Sequence, residues 1–110
     1  MTREEVLKRA QECVCGQREQ DYGTPEDSFR TIANMWQSYL EARFPVPAAY
    51  DRIEITPKDV AAMMALLKIA RIAGGNGTDD SWIDLAGYAA CGGELQRAIS
   101  MAAPQDEQTI

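Results

Sequence analysis

The feature that most constrains this chain is the segment between Thr56-Pro57 and Gly74-Gly75. After Asp59 it contains only two polar residues, Lys68 and Arg71. Thr followed by Pro is an N-cap and a first helical residue, Asp59 stands at the capping-box position, and the glycines end the helix. A helix over 57–73 that is apolar nearly all round belongs at the centre of a helical assembly. Lys68 and Arg71, three residues apart, share one of its faces. Burying such cations is costly unless they are paired or bind something.

Three further helices follow from the pattern. The first opens with Thr2 and Glu5 at capping-box spacing and carries a stripe of Val6, Leu7, Ala10, Cys13 and Val14, with Gly16 ending it. The second begins at Thr24-Pro25. Its expected buried face is Phe29, Ile32, Ala33, Trp36, Tyr39 and Leu40, and Pro45 and Pro47 forbid its continuation. The connection from Pro45 to Ile55 is long, and Arg52–Ile55 alternates polar and apolar as a short extended piece would. The fourth helix runs from about Asp79 to Met101, with Gly87, Gly92 and Gly93 expected to admit close helix–helix approach. The expected architecture is an all-α, compact four-helix bundle: one domain over 1–103, then a polar tail over 104–110. The all-round apolar third helix and the glycine-bearing fourth leave surface that one bundle does not cover, so assembly with a second copy, a homo-oligomer, is expected.

On the fourth helix Asp80, Asp84, Tyr88 and Cys91 fall on one face. Asp80 lies in the first turn, where a carboxylate also complements the helix dipole. Asp84 is a full turn further in, where the capping explanation is weaker. Two readings of the four charges compete. Asp80 and Asp84 hold a divalent cation, Mg²⁺, while Lys68 and Arg71 contact phosphates; or the cations neutralise the aspartates across a helix pair. Asp59 reads as a cap. The loop Arg18–Gly23 is either an interhelical turn or a ligand loop. In the latter, Tyr22 stacks on a base, and Gly23 gives a flexible backbone before a helix N-terminus.

Composition removes several function classes. The 110 residues have a net charge of −6, which argues against non-specific nucleic-acid binding. There is no histidine, so imidazole catalysis and ligation are absent. There are three cysteines, Cys13, Cys15 and Cys91, an odd count that suits a reducing compartment, and Cys13 and Cys15 read as small buried residues rather than as a zinc site. The longest apolar run, Val60–Leu67, is far short of a membrane span, and no targeting segment is seen. A cytoplasmic location is expected.

Three pieces together, Arg18-x-x-Asp21-Tyr22-Gly23, Asp59-x-x-x-Met63-Met64-x-Leu66-Leu67-Lys68-x-x-Arg71 and Asp80-x-x-x-Asp84-Leu85-Ala86-Gly87-Tyr88, resemble a family of small phage and prophage proteins over about residues 15 to 92. That family is similar to the MazG-like all-α nucleoside triphosphate pyrophosphohydrolases and to a nucleotide-modification-associated domain of phages. The resemblance implies a nucleotide site, cleavage of a triphosphate to monophosphate and pyrophosphate, and magnesium held by carboxylates of neighbouring helices. Asp80 and Asp84 would then hold the metal. Arg18, Tyr22, Gly23, Lys68, Arg71 and Tyr88 would contact the nucleotide. The chain departs from the MazG pattern where a Glu-x-x-Glu pair is expected: Lys68-x-x-Arg71 stands there, and no residue can be named as the base activating water. That reversal also suits a non-catalytic nucleotide binder. A third reading is a phage protein acting on a host defence protein through protein–protein contact.

Overall fold

A computed structural model describes residues 1–16, 20–21 and 23–100, with the side chains of 98–100 not described. It is all-helical, with four long helices and no strand among the described residues. These are α1 (Arg3–Val14), α2 (Pro25–Arg43), α3 (Pro57–Ala73) and α4 (Asp79–Ser100). Residues 104–110, read from the sequence as a polar tail, lie outside the described residues.

The caps act as the sequence predicts. Thr2 and Glu5 form a reciprocal capping box at the start of α1, and Thr56 and Asp59 form one at the start of α3. At the latter the Thr56 N–H donates to Asp59 Oδ2 at 2.9 Å, so this carboxylate is occupied locally. Thr24 caps α2 by accepting from the Asp27 N–H. Pro25 and Pro57 each sit in the first turn, where no amide partner is lost.

α3 and α4 run antiparallel as a packed pair. Ala61 lies against Gly92, where an added Cβ would stand 3.4 Å from the Ala61 Cβ, and Lys68 reaches Asp84 further along. Their reversal needs Gly77, where a Cβ would come within 2.8 Å of the Ile72 Cα. α1 packs on α4, while α2 packs mainly on α3. α1 meets α4 at Gly87, whose missing side chain leaves room for Val14. α2 meets α4 through Phe29 and Tyr88, with ring centroids 6.2 Å apart. The core is small: Ala10, Ala33, Val60, Ala61, Ile83, Cys91 and Leu95 are buried, and Val60 is the largest side chain fully enclosed.

Several expected core positions are not core. Leu7 on α1 is 66% exposed, and on α2 Tyr39 and Leu40 are exposed while Phe29, Ile32 and Trp36 are half-buried. Helical period put the residues of each helix on one stripe, but among the described residues no element packs over the outer part of either stripe. Cys15 is exposed and Cys13 half-buried, because α1 ends at Val14 and carries Cys15 past the helix. Gly93 has open space beside it, unlike Gly87 and Gly92. The 45–56 connection forms no strand, yet its end is held in extended form by one side chain. Gln37 Nε2 donates to the Ile53 carbonyl at 2.9 Å, and the Ile55 N–H donates to Gln37 Oε1 at 2.6 Å.

Candidate functional site

The covered side of the α3–α4 pair holds a half-open cleft of about 160 Å³. Cys13 and Val14 from α1, Gly23 and the first turn of α2, and Ile83, Asp84, Gly87, Tyr88 and Cys91 from α4 line it. The spacing Asp84–Tyr88–Cys91 explains how one face of α4 supplies most of a wall. The tilted Phe29–Tyr88 ring pair makes that wall aromatic. Gly23, at φ +86°, turns the chain sharply into α2, a conformation glycine adopts without strain.

Asp84 stands at the charged edge. Its Oδ2 lies 3.0 Å from Lys68 Nζ, with the lysine side chain 18% and the aspartate 38% exposed. The helix pair thus brings the cation and the carboxylate together, and the same carboxylate also borders the cleft. Asp80 and Arg71 are exposed and do not line the cleft. The four charges therefore do not close into one network: Lys68 and Asp84 meet, while Arg71 and Asp80 face solvent where the helix pair turns. Arg18 and Tyr22 lie outside the described residues. Of the remaining nucleotide-contact candidates, Gly23 and Tyr88 line the cleft.

The cleft's chemistry follows from this lining. It offers apolar and aromatic walls, one carboxylate already balanced by an ammonium, and the N-terminal turn of α2. That turn carries Glu26 and Asp27, so its dipole is already answered by carboxylates. Burial pushes the Cys91 thiol up, with Glu94, Cys15 and Glu26 adding to the effect, so it stays protonated at neutral pH and is no nucleophile there. Among the described residues no three of the Cys, Asp and Glu side chains converge to hold a metal ion.

A second depression, about 370 Å³, lies at the opposite end of α2 between Leu40, Phe44, Val46, Ile53 and Ile55. The Arg52–Glu41 pair, 3.6 Å apart, stands at its rim. The sequence reading did not find it. The available signal was the Ile53/Ile55 alternation, but the Gln37 side chain that holds this strand-like segment is distant in sequence.

Fold and site define a small all-helical protein with an aromatic-walled cleft beside an ion pair. The chain belongs to a family described as a domain of unknown function, DUF6378, whose model matches residues 5–96. It is 39% identical over 103 residues to the Gene 55 protein of Mycobacterium phage L5, covering 94% of this chain and 56% of that protein. It is 40% identical over 88 residues to the Gene 55 protein of Mycobacterium phage D29, covering 80% of this chain and 51% of that protein. The chain thus spans about half the length of these curated relatives. No solved structure matches it. The phage-family half of the resemblance is therefore met, whereas the MazG-like half rests on the motifs alone. No helix among the described residues is long and apolar enough to cross a membrane.

Proposed function

We propose that this chain is a nucleotide-binding protein, working in the host cytoplasm, whose site is the cleft beside Lys68 and Asp84. The observation that carries the reading is the combination of an aromatic wall and an ion pair at one opening. Small-molecule pockets are usually about 300–1,000 Å³. A cleft of about 160 Å³ holds part of a nucleotide, so the base or sugar enters against Tyr88 while the phosphates lie outside it. There they meet Lys68 and, beyond it, Arg71. The ion pair supports such a role because phosphate can take over Lys68 as its partner. Asp84 then needs a cation.

Asp84 and Asp80, one turn apart on α4, would hold magnesium, which supplies charge neutralisation and a bound water when present. Two carboxylates suit an ion whose remaining ligands are phosphate oxygens and waters. The finer reading is that a nucleoside triphosphate is cut to monophosphate and pyrophosphate, as the MazG-like resemblance implies. Lys68 and Arg71, standing where those enzymes keep acids, favour binding without turnover instead. The exposed apolar residues favour a separate reading, contact with a protein partner such as a host defence protein.

Calorimetric titration with standard and modified deoxynucleoside triphosphates, with and without Mg²⁺ and with product analysis, tests this. Binding is expected, weakened at least tenfold by Lys68→Ala. In the enzymatic version Asp84→Asn abolishes turnover. Binding with no turnover leaves the non-catalytic version, and no binding by any nucleotide overturns both.

A further inference from the structure

At the end of α2 away from the nucleotide cleft, one side chain does what a β-strand would do. Gln37 Nε2 donates to the Ile53 carbonyl at 2.9 Å, and its Oε1 accepts from the Ile55 N–H at 2.6 Å. A neighbouring strand would make the same two bonds with its own peptide groups. In an extended chain the N–H and C=O of successive residues point to opposite edges. The carboxamide therefore occupies one edge of segment 53–55, and Glu54 presents its N–H and C=O on the other. Among the described residues neither group has a hydrogen-bond partner, and Glu54 is exposed.

We propose that the open edge at Glu54 docks an extended, uncharged, apolar peptide of another protein, added to segment 53–55 as a strand. A peptide residue opposite Glu54 exchanges both main-chain hydrogen bonds with it, as an antiparallel pair does. The side chains on either side of that residue then fall on the face of Ile53 and Ile55. That face borders the depression of about 370 Å³ whose other apolar walls are Leu40, Phe44 and Val46. Ile53 is 81% and Phe44 58% exposed, so apolar surface is there for the incoming side chains to cover.

The charges around the depression define the partner further. Glu41, Asp51 and Glu54 are matched in number by Arg43, Arg52 and Lys58. Arg52 lies 3.6 Å from Glu41, and Arg43 sits over the Phe44 ring at 4.5 Å. The edge therefore favours neither a polyanion nor a polycation. A second copy pairing here about a two-fold axis would set Glu54 against Glu54, and like charges directly opposite are destabilising. Gln37 already holds the segment extended, which lowers the ordering cost of adding a strand. The nucleotide cleft lies at the other end of α2, so this inference stands or falls separately from the proposed binding.

Hydrogen exchange at the Glu54 amide, followed by NMR on the full chain, reads the pairing directly. The probes are short blocked peptides that alternate threonine with valine, isoleucine or phenylalanine. Each has a twin with N-methylated threonines, which cannot donate from the residue opposite Glu54. The unmethylated peptides should slow Glu54 exchange and shift the Ile53 and Ile55 methyl signals. Their twins should bind about tenfold more weakly. Glu54→Pro deletes the N–H yet suits an extended backbone, so it should abolish peptide binding and leave nucleotide binding and the thermal midpoint unchanged. If no peptide slows Glu54 exchange, or if the twins bind equally well, the proposal is overturned. Undiminished peptide binding by folded Glu54→Pro would overturn it too. Should that variant fail to fold, the exchange and twin comparisons on the unaltered chain still decide.

Discussion

The two sides of the α3–α4 pair are built from the same two apolar helices and differ in what lies over them. Where the pair is covered, α1 packs on α4 with Gly87 against Val14, α2 packs on α3 and meets α4 through Phe29 and Tyr88, and Lys68 meets Asp84. On the other side, Leu66, Ile69 and Trp82 stand in the open. Covered apolar surface can afford a cleft and an ion pair because neighbouring elements exclude water around them. Among the described residues, the uncovered side has no neighbouring helix to exclude water in that way.

Substitutions at matched glycines break the comparison most sharply. Gly87→Val on the covered side forces a branched side chain into the space where even a Cβ stands 3.0 Å from Val14 Cγ1. It should cost about 2 kcal/mol in urea unfolding, the usual size of an overpacking penalty. A loss below the error of the measurement would mean that α1 moves freely against α4.

The ion pair comes next. Lys68→Met leaves Asp84 without its partner and should cost about 1 kcal/mol, since both groups are only partly buried. Adding Asp84→Asn should recover part of that loss. A double-mutant cycle with no coupling would show that the pair contributes nothing to stability.

The smallest effect separates the two sides most directly. Gly93 has nothing within 4 Å of an added Cβ, so in an isolated chain Gly93→Ala should stabilise α4 by about 0.5–1 kcal/mol. A loss in urea unfolding instead of a gain would mean that the space beside Gly93 is not open.

The sequence patterns that could be read reliably were those whose cause is local. Thr56, Pro57 and Asp59 set the start of α3 within their own turn, and Asp59 proved to be a cap because its oxygens are used three residues away. The Thr2–Glu5 box was legible for the same reason. Positions that depend on a neighbour were not. Leu7 and Tyr39 have the right helical period for burial, yet period records only that residues share a face. Gly87 and Gly93 are alike as letters; one faces Val14 and the other faces open space.

At the site the same division holds. The spacing of Asp84, Tyr88 and Cys91 already placed them on one face, and all three line the cleft. That Lys68 pairs with Asp84 while Arg71 and Asp80 face solvent depends on the register of α3 against α4, set by the Ala61–Gly92 contact and the turn at Gly77.

By itself, then, the sequence determined four helices, three of their starts, and an apolar α3 with only two cations in its length, because capping and periodicity act over a few residues. Tertiary structure alone decided which charges meet, which residues of α1 and α2 close the cleft, and which apolar face is left bare. Those depend on how antiparallel helices are rotated and slid against each other, and that relation arises only when separate parts of the chain pack.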